Sequence, residues 1–182
     1  MPQAVFPENQ ATLSALHEIS ALLHTNHIRF WLRGGWALDF LLGRETRPHG
    51  DLDLVVWQRH RHKLRPLLEA AGYAFKDRGL KAQLDFVKGS AKVSMVLLER
   101  QKNGDITPAG VPEWRWLPYL LGPERRFYGL SCRTLIPEQL IHEKLTYEGV
   151  APLRPKDHES LRLLRDLVRK NDPSVRFAAS PL

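Results

Sequence analysis

Asp51 and Asp53 stand two apart in the apolar run Asp51-Leu52-Asp53-Leu54-Val55-Val56. Residues two apart on a strand point to the same face, so a strand here projects both carboxylates together while Leu52, Leu54 and Val56 pack the other way. Two neighbouring carboxylates are unfavourable unless a cation neutralises them. Upstream, Gly34 and Gly35 make a turn just ahead of a helix. There the missing Cβ atoms let the main chain approach a phosphate, and free N–H groups favour an anion. An acidic pair beside such a turn is a donor set for Mg²⁺ and a nucleotide, because Mg²⁺ takes carboxylate oxygens and phosphates together. Arg47 and His49, between the glycines and the acids, are placed to meet the phosphates or to orient the carboxylates.

The elements that must hold these groups follow from periodicity. Leu13, Leu16, Ile19, Leu22 and Leu23 recur at helical spacing over 9–25, with Asn9 as the cap. A strand over 28–32 runs into the glycine pair, a short helix over 36–42 ends at Gly43, and the loop 44–50 leads to the acidic strand 51–57. A basic helix over 60–71 is stopped by Gly72, with Pro66 either delaying its start or kinking it. Strands are expected at 82–88 and 92–99, and one or two short ones within 127–134. The stretch 108–123, rich in proline, glycine and tryptophan, has no clear period. Pro137 opens a helix to about 147, and a last helix over 156–170 carries the stripe Leu161, Leu164, Leu167 and Val168. This order predicts an α+β fold, a mixed β-sheet flanked by helices, in one domain spanning 1–182 whose helical C-terminal portion begins near 136.

The chain has 182 residues, 43% of them hydrophobic, and a formal charge of +7. Such a balance favours anionic partners such as nucleotides or RNA. The dense cluster Arg59, His60, Arg61, His62, Lys63 and Arg65 either touches phosphate or forms a solvated helix face. With one cysteine, Cys132, no internal disulfide forms, and no apolar run approaches the ~20 residues needed to span a bilayer. No basic-then-apolar leader is evident, so no membrane partner and a cytoplasmic location are expected. The histidines lack a zinc-type partner set, and neither a nucleophile motif nor a phosphate loop ending in Gly-Lys-Ser/Thr occurs. Trp114, Trp116 and Tyr119 suit packing better than stacking on a flat ligand. Lys144 and Lys156 are candidate point charges for a triphosphate.

The run 31–56 resembles the nucleotidyltransferase superfamily, and more narrowly the aminoglycoside/lincosamide nucleotidyltransferase group. The resemblance is carried by Gly34-Gly35-Trp36-Ala37-Leu38-Asp39, Leu42-Gly43-Arg44, Thr46-Arg47, His49 and Asp51-Leu52-Asp53, and more faintly by Arg154-Pro155-Lys156-Asp157. It implies a polymerase-beta-like fold and Mg²⁺-dependent transfer of a nucleoside monophosphate, AMP, from ATP to a small-molecule hydroxyl, such as that of an antibiotic. It further implies that Asp51 and Asp53 hold the metal and act in catalysis, that Gly34, Gly35, Arg47 and His49 meet the nucleotide, and that Asp39 supports the site. Members of the group usually add a third carboxylate from a neighbouring strand, and here that strand offers Ser94. Asp85, on the preceding strand, is the nearest replacement and joins the candidate catalytic set. Two other readings stay open: transfer to tRNA or another RNA, and a nucleotide-binding protein that has lost turnover.

Overall fold

The computed structural model describes residues 3–148 and 151–171. After a 3-10 turn at Pro7–Asn9, helix α1 (Gln10–Thr25) leads into β1 (Phe30–Arg33), α2 (Gly34–Leu42) and β2 (Leu52–Trp57). Next come α3 (Arg61–Ala70), β3 (Ala74–Lys76), β4 (Gln83–Lys88), β5 (Ala91–Arg100) and β6 (Ile106–Pro108). The chain continues with β7 (Leu121–Phe127), β8 (Leu130–Leu135), α4 (Pro137–Glu148) and α5 (Pro155–Asn171). The strands form one sheet in the order β3-β4-β5-β2-β1-β8-β7, with β6 on β5. β2 runs antiparallel to β1 and parallel to β5, so the sheet is mixed, as expected.

Alternation on the central strands separates a dry face from a working face. Leu52, Leu54 and Val56 of β2, with Val93, Met95 and Leu97 of β5, are almost wholly buried. Asp53 and Ser94 alternate with them and face the other way. Helix α1 packs on β2 and β5, and α2 packs on β1, β2, β7 and β8. α4 and α5 pack on each other and on α2, closing the C-terminal side. Burial of these apolar faces is the main stabilising term, on the order of 25 cal/mol per Å² removed from water.

The structure departs from the sequence reading in instructive places. β3 and β6 have three residues each, too few to display a period of two. In the stretch 108–123, Ile106 bridges Trp116 and β7 begins at Leu121. Helix α3 runs through Pro66, where burial of Leu64 and Leu68 offsets the single backbone bond that proline removes. Asn9 stands at the N-terminus of α1 without a side-chain cap bond, because its amide is engaged elsewhere. Among the described residues, no helix is long and apolar enough to cross a membrane.

Candidate active site

Pairing across the sheet sets one row of side chains on the working face. Arg33 on β1 is opposite Asp53 on β2, Asp53 is opposite Ser94 on β5, Ser94 is opposite Asp85 on β4, and Asp85 is opposite Lys76 on β3. Asp51 lies one residue before β2 and is exposed, whereas Asp53 is partly buried. Gly34 opens α2 with φ +65°, and a Cβ at this position would collide with the Asp53 carboxylate. A Cβ on Gly35 would collide with the His49 ring and crowd Arg47 Nη2. The glycine pair therefore allows three things at once: a left-handed turn, an acid seated against it, and a loop closed over it.

That loop, 44–50, is latched from behind. Asn9, fully buried, donates through Nδ2 to Glu45 Oε2 at 2.8 Å and to the Arg47 carbonyl at 3.0 Å, and its Oδ1 accepts from the His49 amide. Glu45 also accepts from the Val5 and Phe6 amides, each at 3.0 Å, and from the Tyr128 hydroxyl. Burial opposes ionisation of Glu45, but these donors outweigh it and hold the carboxyl below its usual range. His49 is 3% exposed, its Nε2 lies 2.6 Å from Asp39 Oδ2, and Asp39 Oδ1 takes the Thr46 amide and hydroxyl at 3.1 and 2.7 Å. Asp39 and His49 thus brace the loop. Arg47 donates through Nη1 to the Pro48 carbonyl at 2.9 Å, while its Nε is buried with no hydrogen-bond partner.

A cleft of about 560 Å³ opens beside Asp53, with Arg33, Gly34, Glu143, Lys144 and Arg154 in its walls. Arg33 Nε meets Glu143 Oε2 at 2.7 Å, Lys144 Nζ meets Asp157 Oδ1 at 2.8 Å, and Arg154 Nε meets Asp157 Oδ2 at 2.7 Å. Burial works against the Asp157 charge, yet hydrogen bonds from Arg154 and Lys144 keep its carboxyl well below the ordinary carboxylate range. Asp53 goes the other way: burial pushes its carboxyl up, the charges of Asp51 and Glu143 add to this, and Arg33 and Lys156 only partly oppose it. A metal ion or an extra basic group near Asp53 would relieve that tension. The hollow beside α1 and β8, about 750 Å³, is larger but lies at His17, His24 and Cys132, away from the acids.

Gly34, Gly35, Arg47, His49, Asp51 and Asp53 thus gather around one turn, and Lys144 lines the adjoining cleft while Lys156 acts on Asp53 through its charge. Asp85 shares the row but stands two strands from Asp53, roughly 10 Å at the strand spacing. Its carboxylate is held by Gln83 Nε2 at 2.9 and 3.1 Å and by Arg78 Nε at 3.2 Å. Among the described residues, no three His, Cys, Asp or Glu side chains converge as a metal site. The basic cluster from Arg59 to Arg65 follows Trp57, at the end of β2 remote from Asp51. Sequence reading gave no site role to Arg33 or Glu143, and it placed Arg154 only in the run 154–157 that carries the fainter resemblance. Arg33 was detectable from its place next to Gly34, whereas Glu143 is separated from Arg33 by 110 residues and no local pattern announces it.

A model of the aminoglycoside-2''-adenylyltransferase family matches residues 15–162. A 2''-aminoglycoside nucleotidyltransferase of Klebsiella pneumoniae is 40% identical over 63 residues, which cover 35% of this chain and 34% of that protein. The match thus spans about a third of that curated relative's length. The fold is similar to ANT(2'')-Ia in complex with adenylyl-2''-tobramycin, with a TM-score of 0.75 at 23% identity over 92% of this chain and 95% of that one. It is also similar to the lincosamide antibiotic adenylyltransferase LnuA, lincomycin-bound, with a TM-score of 0.69 at 20% identity over 91% of this chain and 99% of that one. At these identities the two structures establish the nucleotidyltransferase fold.

Proposed function

Because this chain belongs to the aminoglycoside-2''-adenylyltransferase family, we propose that it is an enzyme transferring a nucleoside monophosphate, AMP from ATP, to a hydroxyl of a small molecule. The observation that carries this reading is the Asp53 carboxylate seated against Gly34 at the mouth of a cleft lined by Arg33, Lys144 and Arg154. The molecules bound in the similar structures, adenylyl-2''-tobramycin and lincomycin, support a small-molecule acceptor.

The donor set fits Mg²⁺. Two carboxylates without a third convergent ligand suit an ion that keeps waters and takes its remaining oxygens from substrate phosphates. Asp51 and Asp53 would hold it, and when bound it supplies charge neutralisation at the α-phosphate and the departing pyrophosphate. The chain's own residues do the positioning. The amides of Gly34 and Gly35 open α2, where free N–H groups would favour an anion. The buried, unpartnered Arg47 Nε is a donor waiting for an acceptor at the same turn. Lys144 and Arg154, both held by Asp157, would bring basic groups to the triphosphate from the cleft wall, and Lys156 adds its charge near Asp53. Arg33, pinned by Glu143, holds its place beside Asp53. Transfer of this type depends mainly on such placement and charge stabilisation.

Asp51→Asn is the direct test, with transfer from α-labelled ATP and Mg²⁺-dependent nucleotide binding measured side by side. The variant is expected to lose transfer by about 100-fold or more and to lose the Mg²⁺ dependence of binding. Unchanged transfer and unchanged Mg²⁺-dependent binding would end this reading. Ser94 beside Asp53 favours one rival, a protein that binds nucleotide without transferring it. In that case the wild type binds Mg²⁺-ATP and labels no acceptor.

A further inference from the structure

An alcohol attacking phosphorus must give up its hydroxyl proton, so the site needs a base that neither the metal nor a cation has fully engaged. Ser94, across from Asp53 on β5, has a hydroxyl that stays protonated near neutral pH and cannot take it. Asp85 stands two strands from Asp53, with its oxygens held by Gln83 and Arg78. Asp51 and Asp53 are given to the metal in the reading above, and Asp157 has its two oxygens on Lys144 and Arg154. Among the described residues, Glu143 is the carboxylate of the cleft that remains. Its side chain is 8% exposed and lies in the wall that Asp53 and Gly34 also line. Glu143 Oε2 receives Arg33 Nε at 2.7 Å, while Oε1 receives only Gln139 Nε2 among the described residues, at 3.4 Å, the long end of such a contact. Arg33 is steadied by the Trp116 ring, whose centre lies 5.9 Å from its guanidinium, and is the cross-strand partner of Asp53. One oxygen of Glu143 is thus fixed beside Asp53 and the other is lightly engaged. The Glu143 charge reaches Asp53, since after burial it is one of the two that push that carboxyl up. Successive helix residues point about 100° apart, so α4 turns Lys144 to Asp157 and Glu143 to Arg33. Attacking and leaving oxygens lie roughly in line across the reacting phosphorus. Pyrophosphate drawn toward Lys144 and Arg154 therefore leaves the Glu143 side to the incoming hydroxyl.

Resting on the transfer reading above, we propose that Glu143 is the general base of the reaction, its Oε1 taking the proton of the acceptor hydroxyl while Arg33 holds Oε2. The hydroxyl oxygen forms a bond to the α-phosphorus as its proton passes to Glu143. The bond from the α-phosphorus to the bridging oxygen breaks, and pyrophosphate leaves with the electron pair. Glu143 then returns the proton to water. With the base on a helix, β5 carries a serine opposite Asp53 without loss of turnover.

The test uses the full chain with Mg²⁺, α-labelled ATP, and tobramycin and lincomycin as probe acceptors, with water followed as a further acceptor through release of labelled AMP. Glu143→Gln keeps the shape and an oxygen for Arg33 but cannot take a proton. Its kcat should fall about 100-fold or more, with the KM for ATP within about threefold of wild type. A Glu143 that only braces Arg33 would show the reverse, a raised KM or a lowered melting temperature with kcat little changed. Adding Ser94→Asp to Glu143→Gln sets a carboxylate beside Asp53 and should recover about tenfold or more of the lost kcat, which it could not do for a brace. Ser94→Asp alone should gain less than about threefold, because a base is already present. The proposal is overturned, and transfer left standing, by a kcat retained in Glu143→Gln or by a loss there that Ser94→Asp does not repair. A gain of about tenfold or more in Ser94→Asp alone, or label in that variant where the wild type gives none, overturns it likewise. Mg²⁺-dependent ATP binding with no label on any acceptor, in wild type and Ser94→Asp alike, overturns the transfer reading and the proposal with it.

Discussion

Gly35 has an ordinary backbone angle, so its identity is a matter of space: the His49 ring and Arg47 Nη2 occupy the volume a methyl group would need. Gly50, by contrast, has nothing within 4 Å of its would-be Cβ. Gly35→Ala should therefore cost about 1–3 kcal/mol, as overpacking does, and weaken nucleotide binding. Gly50→Ala should change neither by much. Urea unfolding with nucleotide titration checks both, and equal effects at the two positions would contradict the close packing described. At this scale the sequence was most legible, because glycines, alternating acids and a basic residue between them each have a chemical reason to be where they are. The partners were not legible. Nothing near residue 143 says that its carboxylate meets Arg33, and Ser94 becomes meaningful only once pairing sets it between Asp53 and Asp85.

Among elements, the loop 44–50 is shaped by residues far from any phosphate. Asn9 spends its whole amide on Glu45, Arg47 and His49, so its removal leaves buried donors and acceptors unpaired. Asn9→Ala should lower stability by about 3 kcal/mol and loosen nucleotide binding, although Asn9 touches no nucleotide in this reading. Asn9→Asp should do no better, since it sets a second carboxylate against Glu45. Thermal unfolding and nucleotide affinity of the two variants decide this; an intact affinity in Asn9→Ala would show that the latch does not shape the turn. From sequence alone, an asparagine ahead of an amphipathic run reads as a helix cap, a local role. Its tertiary role depends on a loop 40 residues away. Long elements such as α1 and β5 were foreseeable because they repeat their pattern several times, and β3 and β6 were not because three residues cannot.

For the molecule as a whole, Asp53 sets function against stability. Burial first, then Asp51 and Glu143, raise its carboxyl pKa in the folded state. Above the ordinary carboxylate value, about 3.9, the folded state therefore holds a proton that the unfolded chain has released. Stability from this group falls as pH rises through that interval, and a cation competing for the same oxygens binds more tightly over the same rise. Asp53→Asn should then raise the metal-free melting temperature by about 2–4 °C at neutral pH while abolishing transfer. A melting temperature that falls, or a wild-type Mg²⁺ affinity that does not change between acid and neutral pH, would contradict this. The latch has a further consequence, for the order in which the chain takes shape. The Asn9 contacts with Glu45, Arg47 and His49 lie within the first fifty residues, whereas the pairs Tyr128–Glu45 and Arg33–Glu143 close spans of 83 and 110 residues. As a ribosome releases the chain from its N-terminus, the glycine turn has its bracing partners at hand before the C-terminal helices exist. The glycine-turn half of the candidate site is then the older part of each newborn molecule, and the wall of the cleft from the C-terminal helices closes onto a turn already formed.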